Sequence, residues 1–159
     1  MIRPMTEGDL NSVLAIERLS FSSPWTYDNF LYELRDNPFS SCYVYEEEGK
    51  ILGYAMMWTL FEDGDITNIA VHPEYRKQGI AQKLLDTLFE EAKNAGLEYL
   101  HLEVRVSNEK ALRLYKKNGF ETLRIRKGYY SGTNEDAYEM WKAIGGDHDE
   151  DPGNRIELR

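Results

Sequence analysis

The sequence predicts a single-domain α/β fold, with a mixed, mostly antiparallel sheet covered by helices on both faces. Three observations lead to this prediction. The recognisable elements run in the order strand, two helices, three strands, helix, strand, helix, two strands. A helix between two strands is typical of a crossover connection, which makes the joined strands parallel, whereas hairpins make them antiparallel. The length of 159 residues suits one domain with a substantial core.

Turn and cap signals divide the first half of the chain. Thr6 is typical of a helix N-cap, and its helix ends near residue 21. Thr26 caps a second helix, which ends before Pro38 because the residue preceding a proline disfavours helical geometry. Turn signals at residues 48–50 and 63–64 favour an antiparallel meander. The predicted strands of this half cover residues 2–5, 41–46, 51–60 and 66–71.

The second half alternates helices and strands and then changes composition. A helix over residues 79–95 carries an apolar stripe and ends at Gly96. A strand at 98–106, a helix at 109–118 closed by Gly119, and strands at 120–126 and 136–144 follow, the last two joined through residues 129–134. Residues 1–144 therefore form the predicted domain. The acidic segment 145–159 is expected to have little order of its own.

Composition limits the classes of function. The net charge is −9, which disfavours direct binding to nucleic acid and either favours a basic partner or serves only solubility. Cys42 is the single cysteine, so no intramolecular disulfide or thiolate zinc cluster can form, and three scattered histidines lack the spacing of metal ligands. No apolar run reaches the about 18–20 residues of a membrane span or forms a leader after Met1. We expect a cytoplasmic protein with no metal and no membrane partner.

The segment between the fourth strand and the following helix predicts an anion site. Pro73 ends the strand because it lacks an N–H group, and Gly79 permits a tight entry into the helix. A helix N-terminus presents unpaired N–H groups that favour anions, and Arg76 and Lys77 add positive charge. The segment matches neither the dinucleotide fingerprint nor the phosphate loop. On spacing alone, a helix start with solvated basic residues explains it equally simply.

The same segment resembles the acetyl-CoA motif of the GNAT family of N-acetyltransferases. Arg76, Gly79 and Ala81 fill that motif, which has Arg or Gln, two residues, Gly, one residue, and Gly or Ala. The resemblance is closest to the RimI-type ribosomal-protein-alanine N-acetyltransferases and extends over residues 1–144. The further blocks that carry it are residues 24–25, 102–105, 107–108, 111, 114–115, 118–120, 129–130 and 135–137.

The resemblance implies acetyl-CoA as cosubstrate. Its pyrophosphate would lie on the N–H groups of residues 77–82, and its pantetheine between strands four and five, which would splay apart at a bulge in strand four. The N–H group of Val71 would polarise the thioester carbonyl. The implied cofactor-binding residues are Ile69, Ala70, Val71, Arg76, Lys77, Gln78, Gly79, Ile80, Ala81, Gln82 and Asn108.

The resemblance also implies the catalytic and substrate-binding residues. Glu103 would be the general base, directly or through a water, and Tyr115 the general acid toward the departing thiolate. Taken without the resemblance, these two residues are more typical of a solvated strand face and of helix packing, and Asn108 of an N-cap. No covalent enzyme intermediate is implied. The implied substrate-binding residues are Pro24, Trp25, Tyr129, Tyr130 and Glu135, of which Trp25 could equally pack in the core and Glu135 merely start a strand.

The implied reaction is acetyl transfer to a protein N-terminus. The substrate class would be the N-terminal alanine of the eighteenth protein of the small ribosomal subunit, a basic N-terminus that suits the acidic balance. The enzyme would act as a monomer or weak dimer, without contacting nucleic acid directly. Two alternatives stay open at this point: acetylation of lysine side chains or small amines, and a CoA-binding interaction module without turnover.

Overall fold

The structure, a computed structural model, describes residues 1–130 and 135–145, with the backbone alone at 129 and 130. Of the predicted acidic tail, residues 145–159, only Gly145 is described, and residues 146–159 lie outside the described residues, as do residues 131–134. No described helix is both long and apolar enough to cross a membrane. The strands are β1 (Ile2–Pro4), β2 (Ser40–Glu47), β3 (Lys50–Leu60), β4 (Asp63–Val71), β5 (Tyr99–Arg105), β6 (Glu121–Tyr130) and β7 (Glu135–Ala143). The helices are α1 (Leu10–Ser20), α2 (Tyr27–Arg35), α3 (Ile80–Asn94) and α4 (Glu109–Lys117), with 3-10 turns at Glu7–Asp9 and Pro73–Tyr75.

All seven strands belong to one sheet in the order β1-β2-β3-β4-β5-β7-β6. Every neighbouring pair is antiparallel except β4 and β5, which run parallel because α3 crosses over between them. The predicted mixed, mostly antiparallel sheet is confirmed. The strand order adds one fact that the sequence leaves open: β7 lies between β5 and β6.

Strands β4 and β5 separate before they end. Their register pairs Asp63 with Tyr99 and continues only to Ile66 and Leu102, although both strands run on. On the other side of β4, Met56 pairs with Asn68 and Met57 with Ile66, so one residue of β4 is left over as a β-bulge at Thr67. The predicted splay and its bulge are both confirmed.

Two clusters of buried side chains hold the helices to opposite faces of the sheet. Strand β3 contributes to both because successive side chains point to opposite faces: Tyr54 and Met56 lie in one cluster, Ala55 and Met57 in the other. Helix α3 covers one face, and α1 and α2 cover the other. Each large apolar side chain buried in this way stabilises the fold by about 1.5–3 kcal/mol.

The second turn of the meander differs from its prediction. Phe61 and Glu62 form the turn, with Phe61 at a φ of 55°, and β4 begins at Asp63. Gly64 is a strand residue, and a Cβ there would lie 2.6 Å from Leu100 Cδ2 and 2.8 Å from Leu97 Cδ1. Glycine is therefore required by the close approach of the Leu100 side chain from the neighbouring strand β5 and of the Leu97 side chain.

Strand β6 is longer than predicted, because it reaches Tyr130 rather than ending at Arg126. The register between β6 and β7 is interrupted after Arg126 and resumes where Tyr130 faces Glu135. Gly128 has a φ of 59° and donates its N–H to Asp136 Oδ1 at 2.9 Å. This irregular step absorbs the interruption, so residues 129–130 belong to the strand and not to the connection.

Candidate active site

The free edge of β4 faces the opening between the separated strands. His72 N–H donates to Leu52 C=O at 2.8 Å, and Gly53 faces Val71 in the antiparallel register. Hydrogen-bonded and non-hydrogen-bonded pairs alternate along such a ladder. The N–H groups of Val71 and Ile69 therefore point away from β3, toward the side where β5 has turned away.

The segment between β4 and α3 has the backbone of an anion-binding loop. Lys77 and Gly79 have φ values of 66° and 77°, and Gly79 is the N-cap of α3 without a side-chain hydrogen bond to the first turn. The first N–H groups of α3 are thus left without a side-chain cap, where an anion is favoured. Arg76 Nε donates to Val71 C=O at 3.2 Å, which ties this loop to the end of β4.

A cavity of about 670 Å³ lies between this loop and α4. None of its lining residues is Asp or Glu, whereas five are basic, in a chain with a net charge of −9. The basic residues are Arg76, Lys77, Arg105, Lys110 and Lys117. Of the predicted cofactor-binding residues all line this cavity except Gln78, whose side chain is exposed. An elongated polyanion with an apolar stretch fits such a lining.

A smaller cavity of about 220 Å³ lies beside the end of α1 and contains the predicted catalytic residues. Glu103 lines the smaller cavity but not the larger one, whereas Tyr115 lines both cavities. Ile69, Asn108 and Ala111 are also common to the two linings. The two cavities therefore meet at the opening between β4 and β5, with Tyr115 at their boundary.

Glu103 lies among charged side chains. Arg126 Nη1 lies 3.3 Å from Glu103 Oε1, and Glu139 faces Glu103 across β5 and β7. Two residues earlier on β5, His101 faces Asp65 of β4. Burial raises the pKa of Asp65 to about 6, and the negative charge of Glu103 adds to the shift. Asp65, a neighbour of the predicted base Glu103, thus holds its proton more tightly than an exposed aspartate does.

Tyr115 and Asn108 are held by α4. The Tyr115 side chain is buried, with its ring edge-on to Phe120 at 5.7 Å between centroids. Asn108 Oδ1 accepts the N–H of Ala111 at 3.2 Å and so caps the helix. The capping interpretation of Asn108 is correct, and the same residue lines both cavities.

The predicted substrate-binding residues are only partly brought together. Trp25 lines the smaller cavity and also packs on Phe30, with 5.2 Å between ring centroids, whereas Pro24 is exposed and outside both linings. Glu135 accepts from Ser107 N–H at 3.0 Å and lies 3.3 Å from Arg105 Nη1, and these contacts lower its pKa. Its carboxylate therefore ties β7 to the segment before α4. The side chains of Tyr129 and Tyr130 lie outside the described atoms.

Several polar residues of the smaller cavity escaped the sequence analysis, among them Glu17, Ser20 and Asn68. Glu17 is only 2% exposed, and helical spacing from Leu10 and Leu14 places it on the apolar face of α1. A carboxylate in that position is the signal that could have identified it, because isolated buried charges are costly.

Comparison with known proteins identifies what this geometry resembles. The model of the Acetyltransferase (GNAT) family matches residues 10–120. A protein of Bacillus subtilis (strain 168), provisionally named as a ribosomal protein bS18-alanine N-acetyltransferase, is 44% identical over 90% of this chain and 95% of its own. The ribosomal protein bS18-alanine N-acetyltransferase of Haemophilus ducreyi is 35% identical over 88% of this chain and 97% of its own. The crystal structure of the ribosomal-protein-S18-alanine N-acetyltransferase from Escherichia coli gives a TM-score of 0.84, with 30% identity over 94% of this chain and 97% of its own.

Proposed function

The chain belongs to the acetyltransferase (GNAT) family, and from this premise we propose that it transfers the acetyl group of acetyl-CoA to the α-amine of a protein N-terminus. The substrate that we propose is the N-terminal alanine of ribosomal protein bS18, after which the three relatives described above are named. One observation carries the proposal: a cavity with five basic lining residues meets a cavity that contains the carboxylates of Glu17 and Glu103, at the point where β4 and β5 separate.

The larger cavity fits the cosubstrate. Acetyl-CoA supplies an activated thioester carbonyl at the end of a long, phosphate-bearing chain. In our proposal the uncapped first turn of α3, with Lys77 and Arg76, holds the pyrophosphate by N–H groups and charge. The apolar wall of Ile80, Ala81 and Leu114 borders the path toward the separated strands.

The smaller cavity fits an amine. An N-terminal amine has an unperturbed pKa of about 7.7–8.0, so most of it is protonated at neutral pH and must lose a proton before it attacks. We assign the removal of that proton to Glu103, directly or through a water, because its carboxylate lies at this cavity. The proton-bearing amine enters beside Trp25, on the side away from the basic loop.

Two further groups act on the carbonyl side of the reaction. The Val71 N–H group, which points into the opening, stabilises the oxyanion that forms as the amine attacks, and such a donor contributes about 3 kcal/mol. Tyr115, at the boundary of the two cavities, gives its phenolic proton to the departing thiolate. The acetyl group passes directly from sulfur to nitrogen, so the enzyme itself is never acetylated.

The proposal is tested by locating the acetyl group. The protein is incubated with acetyl-CoA and a basic peptide that begins with alanine and contains one internal lysine, and the product is sequenced by mass spectrometry. We expect the acetyl group on the α-nitrogen, and no product from the same peptide with a formylated N-terminus. Acetyl-lysine in both peptides would show that the enzyme acetylates lysine side chains. Thiol release at background level with every amine would instead show that the protein binds CoA without turnover.

A further inference from the structure

Glu17 is a buried carboxylate held only by neutral donors. Its Oε1 accepts from the Tyr54 hydroxyl and from Asn68 Nδ2 at 3.2 Å, and its Oε2 accepts from Trp25 N–H at 2.9 Å. Burial raises the pKa of Tyr54, with the nearby Glu17 adding to the shift, so the phenol stays neutral. Among the described residues no Lys, Arg or His lies within 4.0 Å of this carboxylate. A buried charge in this state is unfavourable unless another group compensates it.

A buried carboxylate with neutral donors is not a ligand site by itself. Glu33 of α2 is 6% exposed and accepts from Trp58 Nε1, Asn37 Nδ2 and Ser40 Oγ, yet it lines neither cavity of the candidate active site. What distinguishes Glu17 is its place in the wall of the smaller cavity, which Glu103 of β5 also lines.

Two neighbouring oxygens of the same wall have no hydrogen-bond donor. Asn68 is 6% exposed, and its Oδ1 is buried without a partner in the described part of the chain. The Oγ of Ser20 is in the same state, and both residues line the smaller cavity. Buried polar groups normally have hydrogen-bond partners, so an amide oxygen and a hydroxyl without partners favour a ligand that forms hydrogen bonds at this wall. The carboxylate in the same wall, which has no cationic partner among the described residues, favours a ligand with positive charge.

We propose that Glu17, Asn68 and Ser20 form the subsite that recognises the acceptor's α-amine, an inference that rests on the proposed function. A protonated α-amine supplies what this wall lacks, because it carries one positive charge and three N–H donors. After deprotonation two N–H donors remain for the oxygens, and the lone pair stays free for attack. The subsite selects for a free amine, while the basic lining of the larger cavity repels it.

The test compares two peptides in equilibrium binding to the complex with CoA, which cannot transfer an acetyl group. One is the alanine-initiated basic peptide, and the other carries propionyl in place of alanine, which removes only the amine. We expect calorimetry to show the amine-bearing peptide binding at least about tenfold more tightly, the ratio that one charge-assisted hydrogen bond supplies. Glu17→Gln should bring that ratio toward one while leaving the affinity for the propionyl peptide unchanged. Equal weakening of both peptides, or no discrimination by the unmodified protein, overturns the proposal.

Two further variants separate recognition from folding. Ser20→Ala removes a hydroxyl that has no partner, so we expect an unchanged or higher Tm together with a reduced binding ratio. Glu33→Gln is the matched control, because it alters an equally buried carboxylate outside the cavity and should leave the ratio intact. If Glu17→Gln does not fold, the ratio for Ser20→Ala decides: an unchanged ratio overturns the proposal. If the unmodified protein binds the amine-bearing peptide more tightly but does not acetylate its α-nitrogen, the proposed function is refuted and the amine subsite is not.

Discussion

Ile66 and Leu102 are the last residues at which β4 and β5 face each other in the sheet. Beyond them β4 continues for five residues to Val71 and β5 for three to Arg105, with a bulge at Thr67 on the near side of the opening. In the middle of the sheet, the N–H groups of Ile69 and Val71 therefore point toward the opening and not toward a paired strand. Both cavities reach this opening, which is why the site can bring a thioester and an amine together.

Replacing Glu103 by glutamine should reduce kcat by about 100-fold or more, since a positioned general base contributes about 10²–10⁴. The affinity for CoA should not change, because Glu103 lies outside the larger cavity. Steady-state thiol release and calorimetry measure the two quantities. Glu47→Gln, which removes an exposed carboxylate at the end of β2, is the control for net charge. An unchanged kcat would remove Glu103 from the mechanism.

Tyr115→Phe should reduce kcat by about 100-fold while the fold remains stable. The ring keeps its edge-on contact with Phe120, and the hydroxyl that donates the proton is lost. Tyr43→Phe is the contrasting control, because its hydroxyl donates to Glu91 at 3.0 Å on the other side of α3. That change should lower Tm and leave kcat intact. Full activity of Tyr115→Phe would assign the leaving-group proton to another donor.

Gly79→Val should abolish CoA binding through the backbone of the loop. An added Cβ would meet no atom within 4 Å, so the cost arises from the φ of 77°, which β-branched residues avoid. Gly49 in the turn before β3 has a φ of 79° and equally open surroundings. Gly49→Val should therefore lose the same stability, about 1–2 kcal/mol, yet bind CoA normally in calorimetry. Normal binding by Gly79→Val would contradict the proposed phosphate site.

Asp65→Asn should stabilise the protein at alkaline pH. Burial raises the pKa of Asp65 to about 6, so the folded state holds this proton more tightly than the unfolded chain, whose aspartates titrate near 3.9. The native carboxylate loses stability as pH rises from about 4 to 6, and the penalty is complete above 6. Urea unfolding at pH 8 should show Asp65→Asn about 3 kcal/mol more stable, with the two proteins converging below pH 4. An equal difference at both pH values would mean that the carboxylate is not desolvated.

Sequence periodicity and turn residues predicted most of the fold. The apolar stripe of α3 and the left-handed caps at Gly96 and Gly119 are found where expected. The misplaced turn at 63–64 has a physical cause: glycine serves both turns and close packing, and only the position of Leu100 distinguishes the two. The insertion of β7 between β5 and β6 depends on pairing between distant segments, for which local patterns carry no signal.

The part of the candidate site that one contiguous segment forms was predictable from the sequence. The part that combines side chains from several helices and strands was not. The basic loop and its glycine follow from a contiguous motif, and Tyr115 from a family resemblance. Glu17 and Asn68 meet only because α1 packs against the bulged part of β4, 51 residues along the chain. Glu135 is adjacent in space to Ser107, which no local spacing reveals.

The four rungs between β4 and β5 also bear on the order in which the chain folds. Each joins residues 36 positions apart, from Asp63 with Tyr99 to Ile66 with Leu102. The β3–β4 and β6–β7 hairpins form from local contacts. This seam instead requires closure of a long intervening loop, which raises the contact order and slows its formation. We therefore expect the meander and the β6–β7 hairpin to gain protection from amide hydrogen exchange before the seam does, so that the catalytic opening forms late in refolding.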